Sequence, residues 1–221
     1  MIESQPRDRF ARAMDQPSLL DEMMCRPHEG EPDFTLGTLE EAMPLVLEHH
    51  YSRRRTADPM FVFLWRYGNE PVAAAIFTAP VNRYFNPGSV ELSRLVRLPT
   101  FERPLSRFIG LCLRWLKRNT ELRFCLSYAD TTVGHLGFIY QATNFIHVAV
   151  SPGNTQWKCD ASGKIVSGRS FDQQRNKEGW TRLRTGRKLL YVYPLSEPRA
   201  ALLERFGWTA LPYPKTLEPA Q

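Results

Sequence analysis

Apolar positions recur along this chain with two periods, and the alternation between them lays out an α/β order. Residues 34–36 (Phe34, Thr35, Leu36) form a short first strand. Thr38 followed by Glu41 has the spacing of a capping box, in which each side chain satisfies an orphan N–H of the first turn. The helix it opens runs through Leu45, Val46 and Leu47 toward His49. Pro44 conflicts with a start at Leu39, because a proline past the first turn removes a backbone bond; a start near Glu41 resolves the conflict. Residues 61–67 and 72–77, joined at Gly68-Asn69, read as a hairpin. A polar loop at 80–89 follows. Residues 90–98 then alternate, with Leu92, Arg94, Val96 and Leu98 on one face and Glu91, Ser93, Leu95 and Arg97 on the other. An arginine among aliphatic neighbours marks a candidate site; the plain alternative is an edge strand with one snorkelling charge. Pro104 suits a first helical turn, and Leu105, Phe108, Ile109, Cys112 and Leu116 continue at helical spacing, with Arg103, Arg107, Arg114 and Arg118 nearer the opposite face.

The pattern then tightens around residues 124–150. Phe124, Cys125 and Leu126 begin a buried strand, and Ser127, Tyr128 and Asp130 fall at its end. Thr131 and Thr132 can cap a helix carrying Phe138, Ile139 and Ala142, Asn144 terminates it, and residues 146–150 resume a strand. Polar groups at such a strand–helix junction stand where open α/β sheets collect ligands. Residues 157–188 are mixed, polar and basic, with Arg182, Arg184, Arg187 and Lys188 interleaved with aromatics; residues 189–193 close as a final strand, and Leu202, Leu203, Phe206 and Trp208 suggest a short helix and turn. The expected organisation is a partly ordered N-terminal arm at 1–32 with a short helix near 19–24, one catalytic domain at 33–208 with a basic insertion at 157–188, and a tail at 209–221.

Charge and composition narrow the function. The chain has 221 residues, 43% of them hydrophobic, and a net charge of +6, enough for a real core and a bias toward polyanions. No apolar run reaches the roughly 18 residues of a membrane span, and no leader pattern opens the chain. Cys25, Cys112, Cys125 and Cys159 form no C-x-x-C pair. These features read as a cytoplasmic protein with reduced thiols, binding neither zinc nor membrane.

The segments S-Y-A-D (127–130), G-H-L-G-F-I-Y-Q-A-T-N-F (134–145), His50-Tyr51-Ser52 and Glu91-Leu92-Ser93-Arg94-Leu95, in this order, resemble the Mom family of bacteriophage DNA-modification proteins. The resemblance implies conversion of adenine in duplex DNA to N6-carbamoylmethyladenine, which shields phage DNA from restriction nucleases. It implies iron as well, with His50 and Tyr51 matching the family motif and His49, Asp130, His135 or Tyr140 available to complete the site. The element order resembles the GNAT-like acyltransferase fold, a mixed central sheet flanked by helices. That fold holds coenzyme A pyrophosphate on a Q/R-x-x-G-x-G/A loop. This chain has Leu98-Pro99-Thr100-Phe101-Glu102-Arg103-Pro104-Leu105 there, with neither glycine, which argues against conventional acetyl-coenzyme A binding. The two-carbon donor stays open.

Adenine N6 is a weak nucleophile and has to leave the base stack to be reached. Asp130 is the candidate base, or the acceptor holding N6–H; its plain alternative is a helix-entry cap. Tyr140 takes, by resemblance, the role of acid on the leaving group, against ordinary packing. Arg94 can neutralise a donor carboxylate or a phosphate, and Ser127 can orient substrate. Competing readings are a GNAT acyltransferase acting on a small molecule or protein, and a non-enzymatic DNA-binding module built on the basic stretch.

Overall fold

A seven-stranded mixed sheet, ordered β1-β2-β3-β4-β5-β10-β6, forms the body of the computed structural model. The structure describes residues 30–56, 58–152, 155–184 and 186–216; the helix expected near 19–24 and most of the arm at 1–32 lie outside them. The strands are β1 (Asp33–Leu36), β2 (Pro59–Tyr67), β3 (Glu70–Thr78), β4 (Ser89–Arg97), β5 (Phe124–Asp130), β6 (Ile146–Ser151) and β10 (Lys188–Pro194). All neighbours are antiparallel except β4 and β5. This is the mixed α/β sheet flanked by helices expected of a GNAT-like fold.

Helix α1 (Leu39–His49) carries the predicted capping box: Glu41 N–H donates to Thr38 Oγ1 at 3.3 Å, and Thr38 N–H to Glu41 Oε2 at 2.7 Å. The later start near Glu41 is not adopted. The helix begins at Leu39 and keeps Pro44 inside it, because Leu39, Ala42, Met43, Leu45 and Val46 bury one face against β2–β4 and that burial outweighs one lost backbone bond. Leu47, read as continuing the helix, is half exposed.

Helix α2 (Leu105–Asn119) covers the other face. Phe108 stacks on Trp65 at 4.9 Å, and Trp115 meets Phe63 edge-on at 5.3 Å. A second apolar cluster joins Phe85, Phe124, Leu126 and Val192 to Leu202 of α5 (Arg199–Phe206), with Phe206 stacked on Trp208 at 4.4 Å. Residues past α5 run along β6: Leu211 N–H donates to the His147 carbonyl at 2.8 Å and the Tyr213 hydroxyl to the Phe145 carbonyl at 2.6 Å.

Two sequence expectations are corrected. Residues 131–143 do not form one helix. Asp130, rather than a threonine, caps a 3₁₀ turn at Thr131–Val133, and a separate four-residue helix, α3 (Phe138–Gln141), begins after Gly137. Gly134 and Gly137, both at φ +77°, break the helical path between them. Asn144, at φ +62°, ends the unit as expected. Leu92 and Arg94 also do not share a face. Leu92 pairs with Phe77 and Arg94 with the adjacent Ile76, so Ser93 is the extra residue of a bulge and the alternation inverts there. Arg94 and Glu91, which pairs with Thr78, therefore point the same way.

The basic insertion is itself folded. β7 (Thr155–Cys159), β8 (Ile165–Ser167) and β9 (Trp180–Arg184) make a three-stranded antiparallel sheet in the order β8-β7-β9. Phe171 of α4 (Gly168–Asp172) is buried under it, stacked on Trp157 at 3.9 Å and edge-on to Trp180 at 5.8 Å.

Candidate active site

β4 and β5 pair only through Ser89–Phe124, Val90–Cys125 and Glu91–Leu126. Beyond Glu91 they part, and the bulge at Ser93 turns β4 away. Parting strands leave a gap whose walls carry unpaired backbone, and the side chains on either side of it can reach one ligand.

On the α3 side of the gap, Ser127 Oγ donates to the Leu92 carbonyl at 2.8 Å and lies 2.9 Å from the Tyr140 hydroxyl. A carbonyl only accepts, so the serine proton is committed to Leu92 and the tyrosine donates to Ser127. Burial pushes the Tyr140 phenol up to about 12, against the lowering effect of Ser127. It is therefore a held, protonated donor at neutral pH. The structure thus joins two of the predicted site residues, Ser127 and Tyr140, through one hydrogen bond.

On the α1 side stand Glu91, Arg94, His50 and Tyr51. Arg94 donates from Nη1 to its neighbour's carbonyl, Ser93 O, at 2.7 Å, and its buried Nε has no hydrogen-bond partner. Burial raises the Glu91 carboxyl above the usual range, while the Val81 N–H and the charges of Lys188 and Arg94 pull it back. Clean alternation sets Glu91 on the face opposite Arg94 and so hides it from sequence; the bulge at Ser93 brings the two to one face.

His50 caps the end of α1 and is 7% exposed. Ser52 N–H donates to its Nδ1 at 3.1 Å. The Nδ1 lone pair is thereby used, and in the neutral ring the proton sits on Nε2. Burial pushes the imidazole down to about 4, helped by the positive charge of Arg94 and His135. Tyr51 packs against it, 4.4 Å between ring centroids, and meets His135 edge-on at 5.1 Å. Burial and the Asp130 charge raise the Tyr51 phenol, opposed by Arg94.

These donors do not fit an iron centre. Among the described residues no three His, Cys, Asp or Glu side chains are grouped to hold a metal ion. Nδ1 of His50 is taken by the Ser52 N–H, which leaves one ring nitrogen for a ligand.

Asp130 ends β5. Its Oδ1 accepts from Thr132 N–H at 2.9 Å, capping the turn, which leaves Oδ2 for a ligand. Lys188, predicted to bind DNA, is half-buried, pairs in register with Asp130, and its charge helps lower the Glu91 carboxyl. Arg182 is exposed on β9, donating to Thr155 Oγ1 at 3.2 Å, and Arg187 is exposed just before β10. The Arg184 side chain lies outside what the structure describes.

The insertion is fastened to the Asp130 turn. Thr131 N–H and Oγ1 donate to the Arg187 carbonyl at 3.0 and 2.7 Å, and Gly186 N–H donates to Thr132 Oγ1 at 2.7 Å. A Cβ on Gly186 would stand 2.7 Å from Thr132 N and from Thr131 Oγ1. Residues 155–188 hold nine Lys or Arg and three Asp or Glu, a net +6; the chain's 29 and 23 then leave 20 of each elsewhere, so this segment carries the entire net charge. A cleft of about 240 Å³, lined by Ala129 and residues 134–140, opens beside the same turn.

The parted strands, with polar groups converging on the gap from both faces, define the class: an α/β protein with a mixed sheet and its candidate active site between β4 and β5. The family follows from comparison. The Mom protein family matches residues 36–215, and the chain belongs to it. None of the curated proteins matches the chain. Similar solved structures include a Bacillus subtilis acetyltransferase in complex with CoA, at 12% identity and TM-score 0.47, covering 75% of this chain and 99% of that one. An IAA acetyltransferase from Bacillus cereus has 9% identity and TM-score 0.49, covering 74% and 99%. The ribosomal-protein-S18-alanine N-acetyltransferase of Escherichia coli has 9% identity and TM-score 0.47, covering 75% and 96%. No helix among the described residues is long and apolar enough to cross a membrane.

Proposed function

We propose that this protein is a phage or prophage DNA-modification transferase that converts adenine in duplex DNA to N6-carbamoylmethyladenine and so protects the DNA from restriction nucleases. The carrying observation is the fastening of the basic sheet to the Asp130 turn. The segment with the whole net charge of +6 is hydrogen-bonded, through Gly186 and Arg187, to the residues that follow Asp130. A duplex held on that segment by its phosphates presents its bases at the gap between β4 and β5. Family membership points the same way.

In this reading Asp130 Oδ2 accepts the N6–H of the extruded adenine as the N6 lone pair attacks the electrophilic methylene of the donor. The N6–carbon bond forms as the bond from that carbon to its leaving group breaks. Arg94, with its unpartnered Nε, holds a carbonyl or carboxylate oxygen of the donor. Tyr140, kept protonated, gives its proton to the leaving group while Ser127 fixes its orientation.

Nucleoside mass spectrometry of DNA from cells expressing the protein tests this. Wild type should yield the modified nucleoside. Asp130→Asn should lower it by about two orders of magnitude or more, the loss of a general base, while duplex binding persists. Unmodified adenine from wild-type cells would refute the assignment, and full modification by Asp130→Asn would reduce Asp130 to a cap.

A further inference from the structure

Gly137 sits at φ +77° with its Cα against the Tyr191 ring; a Cβ there would stand 2.4 Å from a ring carbon. The contact is locked from below. The Tyr191 hydroxyl donates to the Leu136 carbonyl at 2.5 Å, and Gln141 Nε2 donates to the same oxygen at 3.2 Å. With Leu136 and Gly137 buried and pinned, the next residue has one way to point. Phe138 stands 59% exposed on the rim of the cleft beside the Asp130 turn.

One exposed apolar side chain is ordinary. Here two exposed rings share one cleft, and a third packs against one of them. His135 and Phe138 both line it, and Tyr51, 49% exposed, meets His135 edge-on. The cleft floor is apolar or backbone, from Ala129, Leu136 and Gly137. Flat rings at the lip, an apolar floor and a carboxylate at the edge suit a planar heterocycle with an exocyclic amine.

We propose that Phe138 is the stacking platform for the adenine extruded from the duplex, a positioning and specificity residue for the reaction proposed above, on which this inference rests. Bases taken out of a helix lose their stacking neighbours, and nucleic-acid enzymes replace them with aromatic side chains. Phe138 begins α3, and both it and Tyr140 line the cleft, so a base stacked on the ring shares that cleft with the tyrosine that donates to Ser127. The basic insertion holds the strand from which the base is drawn.

The test compares binding to two duplexes at low salt by fluorescence anisotropy. One carries a single bulged adenine; the other carries an abasic nucleotide in its place. Wild type should prefer the adenine duplex by about tenfold, the size of one base–aromatic stack. Phe138→Ala should lose that preference and keep wild-type affinity for the abasic duplex, since an exposed ring contributes little to the fold. Phe138→Trp should restore the preference. Equal binding of both duplexes by wild type, or an unchanged preference in Phe138→Ala, overturns the proposal while DNA binding stands. Failure to bind either duplex removes the DNA-modification reading itself, and the stacking role with it.

Discussion

Replacing His50 by Asn should flatten the acid limb of the protein's stability. Asn keeps an acceptor where Nδ1 takes the Ser52 N–H, so the local turn survives. It removes a group whose pKa falls from an ordinary 6.5 to about 4 on folding, chiefly through burial. The unfolded chain therefore takes up this proton before the folded one does. The stability His50 contributes is fully present above about pH 6.5 and is lost as pH falls toward 4. At 1.36 kcal/mol for each unit, the whole shift corresponds to about 3 kcal/mol, of which about 2 kcal/mol disappears between about pH 7 and pH 5. Urea unfolding of wild type and His50→Asn at several pH values across that range isolates the effect, because every other titrating group is common to both. The wild-type stability should fall by about 2 kcal/mol more than the mutant's. Parallel pH profiles would refute the reasoning and return His50 to an ordinary solvated state.

Two further outcomes follow from charge and geometry. Replacing Arg182 and Arg187 by Ala should shallow the salt dependence of duplex binding by about one unit of log–log slope for each phosphate contact removed, measured by filter binding over a salt series; an unchanged slope would move the phosphate track elsewhere, to the exposed Arg53, Arg54 and Arg55. Calorimetry should find no tight acetyl-coenzyme A binding, because the first turn of α2 already holds a carboxylate, with Glu31 2.6 Å from Arg103 and 3.1 Å from Arg107; low-micromolar affinity would contradict this.

The main sheet was legible because its strands and long helices are written as burial. The runs at 61–67, 72–77 and 124–126 lie at the centre of the core, and the helical spacing of Phe108, Ile109, Cys112 and Leu116 is buried as read. The site was legible as a location, since polar residues at the end of β5 interrupt an apolar strand. Its geometry was not. The bulge at Ser93 leaves no mark in a pattern that alternates cleanly through it, and it moved Arg94 to the opposite face from Leu92. The helix after Thr132 was overcalled because Phe138, Ile139 and Ala142 fit helical spacing, while the left-handed glycines at 134 and 137 decide the path. The small sheet at 155–184 falls in the stretch that the sequence shows only as a mixed, polar and basic insertion at 157–188. Its strands do alternate, as in Trp180-Thr181-Arg182-Leu183-Arg184, but the core they cover is Trp157, Phe171 and Trp180, too few rings for periodicity to stand out among seven basic residues.

Where the chain spends its glycines shows where its backbone must come close to something. In a phosphate-binding loop ahead of α2, glycines let main-chain N–H groups approach an anion. Here residues 98–105 contain none; Arg97 donates instead to the Phe101 carbonyl, and Arg103 to Gly30 and Glu31. Those are self-contacts that tie the loop to its own chain. Two close approaches lie after β5. Gly137 has no room for a side chain against Tyr191, and Gly186 has none against Thr131 and Thr132. One contact sets the wall of the cleft, and the other joins that wall to the charged sheet. These two glycines thus bring backbone close to its neighbours around the turn that carries Asp130. A Gly186→Ala or Gly137→Ala change must therefore displace the Asp130–Tyr140 segment.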